Sequence, residues 1–136
     1  AYVTDEGVEA LASSEHLRSL ESLELNNNNL TDRGAKALAN SKTLAHLRDL
    51  SLYGNQIGDD GMIAFAQDDS LPHLEFLNMT WNRVGERAAK ALLESEAIRR
   101  LHNLYLVANP LGHGRAVELE RALSPHMAIH CVERIG

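Results

Sequence analysis

The chain lacks the residues on which several classes of protein depend. It has one cysteine in 136 residues, so an internal disulfide is impossible and a disulfide-stabilised scaffold is excluded. Thirteen lysines and arginines face 19 acidic residues, for a formal net charge of −6, and no basic block is present. Nucleic acid is therefore a poor candidate partner, because its binding requires clustered positive charge. No apolar run reaches the roughly 18 residues of a membrane span. Aromatic residues are also scarce, at six in all.

What the chain has in abundance is one leucine pattern. Its first copy begins at Leu20 and has the spacing L-x-x-L-x-L-x-x-N-x-L. Three further copies follow with a constant period of 27, from Leu47, Leu74 and Leu101, without insertion or deletion. Four copies in register indicate a repeat protein, in which each unit buries its apolar face against its neighbours.

A short strand with one buried face explains the leucine spacing. Leu23 and Leu25 are two residues apart and point to the same side of an extended strand, whereas Glu24 points to the other side. The asparagine that follows each strand can both donate and accept through its amide, and can satisfy the backbone groups of the turn. We predict a structural role for this column, rather than a ligand-binding one. Its members are Asn28, Asn55, Asn82 and Asn109.

The segments between the strands predict amphipathic helices. Thr4 and Thr31 are placed to cap helix N-termini, followed by acidic residues that the helix dipole favours. Val8, Leu11 and Ala12 lie at i, i+3 and i+4 and form an apolar stripe. Because each helix returns the chain to the same side, successive strands must be parallel. We predict an α/β right-handed solenoid with strands on its concave face and helices on its convex face.

These features resemble the leucine-rich repeat family. Residues 34–39, Gly-Ala-Lys-Ala-Leu-Ala, are similar to the helix motif of the ribonuclease-inhibitor-like subclass and of bacterial GALA-type repeats. The resemblance covers about residues 4–123 and implies one horseshoe-shaped domain over residues 1–136. Secreted members usually have disulfide-bonded caps. Since one cysteine cannot provide these, we expect a cytoplasmic location, with a secreted bacterial effector as the alternative.

The two ends depart from the regular repeat. Residues 1–19 align with the second half of a repeat, and we expect the chain to be a piece of a longer solenoid. At the other end Glu118 and Glu120 replace alanine columns and Pro125 replaces an apolar anchor, which predicts a C-terminal cap over about residues 113–136. One further period counted from Leu104 places Cys131 in a core leucine column. We therefore predict a buried structural thiol, not a nucleophile.

The sequence predicts no catalytic, metal or cofactor site. His46 and His73 share a column in adjacent repeats, but a zinc site takes three or four convergent ligands, and Ser19 and Arg100 occupy the same column. The glycine pair in residues 112–114 lacks the strand and helix context of a dinucleotide-binding loop. No nucleophile with a neighbouring base can be assembled from one column or one loop.

The outward strand positions hold most of the scarce aromatic residues. Four of the six lie there or just after a strand, although a core could use them. Singly exposed apolar residues are common and need no function, but tyrosine and tryptophan are also favoured anchors of protein interfaces. Carboxylates outnumber basic groups in this region, which favours a partner with a basic rim. The predicted partner-binding residues are Glu24, Arg48, Asp49, Tyr53, Phe76, Asn78, Trp81 and Tyr105.

These features favour a non-catalytic module that binds a protein or peptide on the concave face, with no nucleic acid, membrane or cofactor involved. The alternative is a regulatory domain of an enzyme system, such as a GTPase-activating protein or a substrate-recognition protein of a ubiquitin ligase. A GTPase-activating role needs a catalytic or switch-binding residue on a loop, and none can be named. A structural spacer in a larger protein is a third possibility.

Overall fold

The computed structural model describes residues 2–132 as five short strands that alternate with five helices. The strands are β1 (Ser22–Glu24), β2 (Asp49–Ser51), β3 (Phe76–Asn78), β4 (Asn103–Tyr105) and β5 (Ala128–His130). The helices are α1 (Asp5–Ala12), α2 (Asp32–Ala39), α3 (Asp59–Phe65), α4 (Glu86–Glu94) and α5 (His113–Leu123). Short 3-10 helices over Glu15–Leu17 and Ile98–Arg100 precede β1 and β4.

The strands form one parallel sheet in chain order, from β1 to β5. Leu23 pairs with Leu50, Leu50 with Leu77, and Leu77 with Leu104, so the period of the sequence is also the register of the sheet. Each helix packs beside the helix of the next repeat. The predicted α/β solenoid, with strands on the concave face and helices on the convex face, is confirmed.

The core lies between the sheet and the helices. On the strand side Leu77 and Leu104 have no solvent exposure, and their flanking residues point outward. On the helix side Ala35 and Ala89 are equally buried, because a small side chain lets the helix approach the sheet closely. Burial of each leucine side chain contributes about 1.5–3 kcal/mol. The leucines buried between stacked repeats therefore make a large contribution to stability.

The predicted asparagine ladder is confirmed. Asn82 is 6 % exposed, and its Nδ2 donates to the carbonyl oxygens of Leu52 at 2.9 Å and Met79 at 3.1 Å. Its Oδ1 accepts from the Ile57 N–H at 3.0 Å. Asn109 makes the same set of bonds one repeat later. Each asparagine thus links the turn of its own repeat to the turn before it.

A second ladder, of aspartates, was not predicted. Asp32 Oδ1 accepts from the N–H groups of Gly58 at 2.7 Å and Gly61 at 3.0 Å, which belong to the start of the next helix. Asp5 and Asp59 make equivalent bonds to the helix that follows each of them. The sequence predicted only a dipole interaction within one helix. The carboxylates also cap the neighbouring helix, where N–H groups have no intrahelical partner.

The last repeat corrects one sequence prediction. Leu104 pairs with Ile129, and not with Cys131 as a strict count of 27 predicted. The connection is two residues shorter, so Cys131 lies one core position further along the chain. The thiol is nevertheless 6 % exposed, and the prediction of a buried cysteine is confirmed. Burial, with a smaller contribution from the charge of Glu120, raises the pKa of Cys131 to about 12.

Glu120 explains part of the departure at this end. Its Oε2 accepts from the backbone N–H groups of Cys131 and Val132, both at 2.9 Å. Helix α5 thereby binds the chain segment after β5, a role that an alanine in the same column could not fill. The part of the predicted cap in residues 133–136 lies outside the described residues.

The first repeat is less well covered than the others. Leu17, Leu20 and Leu23 are only partly buried, whereas Leu50 and Leu77 in the inner strands are at most 1 % exposed. Thr4 caps α1, as predicted, by accepting from the Gly7 N–H at 3.1 Å. Over residues 2–132, no helix has the length and apolar character needed to cross a lipid bilayer.

Candidate binding surface

The outward side chains of the strands form two rows, which we call the strand face. Parallel pairing in register places the first residue of each strand in one row and the third residue in the other. The rows are Ser22, Asp49, Phe76, Asn103 and Ala128, and Glu24, Ser51, Asn78, Tyr105 and His130. All ten are at least partly exposed, while the residue between them is turned toward the core.

Three rings gather on the strand face in what we call the aromatic cluster, made of Phe76, Tyr105 and His130. The Phe76 and Tyr105 rings lie 5.4 Å apart at 49°. His130 stacks on Tyr105 with centroids 4.4 Å apart and an angle of 11°. Sequence reasoning missed His130, because a period of 27 aligns Tyr105 with Val132. The alternation of Met127, Ile129 and Cys131 was the available signal for the shifted register.

Tyr53 and Trp81 form a second aromatic contact, just beyond the ends of β2 and β3. Their ring centroids lie 6.0 Å apart at 82°. Trp81 is 62 % exposed, and its backbone has φ of +59°. Asn27, Gly54 and Ala108 occupy the same column with φ between 59° and 71°. The turn therefore requires a left-handed conformation, which disfavours most side chains by about 1–2 kcal/mol. A tryptophan is a rare choice for such a position.

Arg48, one of the predicted binding residues, is already paired with carboxylates of the chain. Its Nε lies 3.1 Å from Glu21 Oε1, and its Nη1 lies 2.7 Å from Glu75 Oε2. These carboxylates come from the repeats on either side. All three side chains are exposed, so the pairs contribute little to stability. These pairs hold the guanidinium of Arg48, which directly precedes β2, within the chain.

The two predicted acidic residues of the strand face have no such partner. Glu24 and Asp49 are exposed and form no ion pair with any residue between 2 and 132. Asn78 is partly engaged within the chain, since its Oδ1 accepts from the Thr80 N–H at 2.9 Å. The surface around the aromatic rings is therefore acidic and only partly neutralised.

The helix side carries similar ion pairs between repeats. Arg33 pairs with Glu9 at 2.6 Å, and Arg87 pairs with Asp60 at 2.8 Å. The hydrogen bond from Arg33 holds the pKa of Glu9 below its usual value, and Arg87 does the same for the pKa of Asp60. Arginine side chains are thus paired between repeats on both sides of the solenoid, and the strand face in addition carries the unpaired carboxylates of Glu24 and Asp49.

The repeat pattern matches a known family in sequence. A family model described as leucine-rich repeat matches residues 16–39, 43–66 and 70–93, which together make up more than half of the chain. The chain belongs to the leucine-rich repeat family. The finer resemblance to the ribonuclease-inhibitor-like and GALA-type subclass stays a prediction. No curated protein matches this leucine-rich repeat sequence.

A solved structure is similar to this leucine-rich repeat domain over almost its whole length. The C-terminal domain of tropomodulin from Caenorhabditis elegans superposes with a TM-score of 0.69. The match covers 97 % of this chain and 84 % of that chain, at 16 % sequence identity. At this identity the likeness shows the fold and carries nothing about partners.

The histidine pair of this leucine-rich repeat domain lies at the entry to the strands. The rings of His46 and His73 are parallel within 5° and 6.1 Å apart. With Ser19, Glu21 and Arg48 they line an open groove of about 510 Å³. Among residues 2–132 there is no group of three or more histidine, cysteine or acidic side chains that could hold a metal. The pair therefore supplies two imidazoles without the further ligands of a zinc site.

Proposed function

We propose that this domain is a non-catalytic binding module whose strand face takes a protein or peptide partner. Leucine-rich repeat domains generally mediate protein–protein interactions, and the repeat architecture supports the proposal. The proposed contact residues are Glu24, Asp49, Tyr53, Phe76, Asn78, Trp81 and Tyr105. Arg48 is also included, at the edge of this surface, where it is paired with Glu21 and Glu75.

Trp81 is the observation that carries this proposal. Stability alone would favour glycine or asparagine at its left-handed position, as in two of the other repeats. The indole instead leaves most of its surface in water while one edge contacts the ring of Tyr53. Tryptophan is also among the residues that dominate binding energy in protein interfaces.

The size of the strand face limits how tightly it can bind. Five strands lie about 4.8 Å apart, and the three residues of each strand with about two more toward the turn extend about 16 Å, so the strand face and the turns that follow it cover roughly 400 Å². A standard interface buries about 800 Å² on each partner. Affinity should therefore depend on a few anchors, and the pair Tyr53 and Trp81 offers the largest exposed ring surface. Unpaired carboxylates favour a basic partner, mainly by speeding association.

The decisive experiment compares two single substitutions in binding to a partner recovered with the intact domain. Trp81→Ala should weaken binding by about 2 kcal/mol or more, the range of an interface hot spot. Lys36→Ala, on the exposed surface of α2, should leave affinity unchanged. Equal melting temperatures would confirm that both variants are folded. The reverse order of effects would assign binding to the helix side and refute the proposal.

The proposal extends to location and to the regulatory alternative. A single buried thiol is compatible with a reducing compartment, and we propose an intracellular setting. A GTPase-activating role would use a loop residue that acts on the partner, and no described loop residue points to one. Substrate recognition for a ubiquitin ligase would itself be partner binding. Binding itself is therefore the proposed activity.

A further inference from the structure

Asp49 and Phe76 are direct neighbours on the strand face. Parallel pairing aligns their Cα positions in β2 and β3, so their outward side chains lie side by side. The Tyr105 ring lies 5.4 Å from the Phe76 ring on the far side. Glu24 belongs to the second row on β1, one strand away from Asp49. An exposed carboxylate thus flanks a partly exposed ring pair, with a second carboxylate nearby.

No cation of the described chain neutralises this group. Arg48 is adjacent in sequence, but Glu21 and Glu75 bind its guanidinium at 3.1 Å and 2.7 Å. Asp49 and Glu24 form no ion pair within the part of the chain that the structure describes. The surface therefore has negative charge and aromatic faces together, and it lacks the positive group that would complement both.

We propose that Asp49, Phe76 and Tyr105, with Glu24 beside them, form a subsite for an arginine side chain of a partner peptide. A guanidinium is planar and can lie on an aromatic face while its N–H groups donate to a carboxylate. Lysine has neither the planar surface nor the paired donors, so arginine is the better fit. The inference rests on the proposed function and adds the chemistry of the ligand.

The spacing on the sheet also constrains the rest of the peptide. Tyr53 follows Asp49 by four residues along the same chain direction, which is about 13 Å in extended backbone. An extended peptide that runs along β2 and places arginine beside Asp49 would bring its residue four positions away to Tyr53 and Trp81. We therefore expect an apolar side chain at that spacing from the arginine.

A peptide titration followed by amide chemical shifts in NMR tests the subsite. The probe is the acetylated and amidated peptide Gly-Arg-Ser-Thr-Ser-Leu-Gly, and its control has citrulline, a neutral isostere, in place of arginine. The arginine peptide should shift the amide signals of residues 49, 76 and 105. The citrulline peptide should bind at least five-fold more weakly. Equal binding of the two peptides, no binding, or shifts confined to the helices would overturn the proposal.

Matched acidic substitutions isolate the carboxylate. Asp49→Asn should weaken binding of the arginine peptide at least five-fold, because the neutral amide loses the charge that the guanidinium pairs with. Glu6→Gln removes one charge from the exposed surface of α1 and should change affinity less than two-fold. Phe76→Leu should also weaken binding, since it retains bulk without an aromatic face. Equal effects of Asp49→Asn and Glu6→Gln would mean a non-specific charge effect and reject the subsite.

The two proposals can fail independently. If Trp81→Ala abolishes binding of a natural partner while Asp49→Asn has no effect on the arginine peptide, only the subsite is wrong. If the arginine peptide binds beside Asp49 while Trp81→Ala leaves a natural partner bound, the subsite stands and the proposed anchor is wrong.

Discussion

The indole of Trp81 contacts the ring of Tyr53 edge-on, with centroids 6.0 Å apart and planes at 82°. The two residues belong to adjacent repeats, so the contact spans the boundary between them. An edge-to-face pair of this kind contributes about 0.5–1.5 kcal/mol. That gain roughly offsets the 1–2 kcal/mol that a left-handed backbone costs a residue with a side chain. Folding therefore gains little from the tryptophan.

The order of stabilities at position 81 follows from this conformation. Trp81→Gly should be more stable than Trp81→Ala by about 1 kcal/mol in urea unfolding, because only glycine adopts positive φ without strain. The control is Lys36 in α2, where glycine should be less stable than alanine by about 1 kcal/mol. If Trp81→Ala is the more stable of its pair, the left-handed turn is not a constraint in solution.

Asn82→Ala tests the asparagine ladder. The change leaves the buried Ile57 N–H without its acceptor. It also removes one of the two amide donors to each of the carbonyl oxygens of Leu52 and Met79, which keep Asn55 and Asn109 as partners. It should lower the free energy of unfolding by about 1–3 kcal/mol. Asn40→Ala, at the exposed end of α2, should change it by less than about 0.5 kcal/mol. Equal melting temperatures for the Asn82 variant and the parent would remove the structural interpretation.

Asp32→Ala tests the aspartate ladder. Helix α3 begins after Gly58, which has no side chain to cap it, and Asp32 of the preceding repeat supplies the acceptor. Loss of a helix cap costs about 0.5–2 kcal/mol, and we expect a decrease in stability of that size. The control is Asp69→Ala in an exposed loop, which should be neutral. A neutral Asp32 variant would show that water replaces the bond.

Cys131 should be unreactive toward thiol reagents in the folded protein. Burial, assisted by the charge of Glu120, raises its pKa from 9.0 to about 12. An increase of that size reduces the thiolate fraction at pH 8 by about 10³-fold, and only the thiolate reacts. The pKa of Cys131 is higher in the folded than in the unfolded state, so deprotonation at high pH favours unfolding. The contribution of the neutral thiol to the free energy of unfolding is therefore complete below about pH 9 and is lost as pH rises toward 12. Comparison of labelling rates with and without denaturant measures the effect, and similar rates would contradict it.

Hydrogen exchange should differ along the solenoid. Leu23 of β1 is partly exposed, whereas Leu50 of β2 and Leu77 of β3 are covered on both sides. Repeat proteins open from their less covered ends. Amides in residues 2–24 should exchange fastest among the strands and helices, and those of β2 and β3 slowest. Uniform exchange over residues 2–132 would show that the domain opens as one unit.

The sequence alone was sufficient for the repeating frame. Leu23 and Leu25 could only share a buried face if the chain was extended there, and the constant period carried that assignment through Leu50, Leu77 and Leu104. The role of Asn82 was predictable because buried turns require a residue that both donates and accepts. Tyr53 and Trp81 were both predicted as partner-binding residues from their positions just after adjacent strands, and the structure shows that their rings are in contact. Their role in binding stays a prediction.

Only the tertiary structure showed where the period of 27 residues ends and which side chains from different repeats are in contact. The shorter connection before β5 aligned His130 with Tyr105, because Ile129 filled the core position that the count of residues assigned to Cys131. The bonds of Asp32 to the next helix depend on the distance between repeats, and no local pattern encodes that distance. Arg48 likewise pairs with Glu21 and Glu75 from the repeats on either side. Which charged groups remain unpaired on the strand face therefore depends on contacts between repeats, and the sequence does not show these contacts.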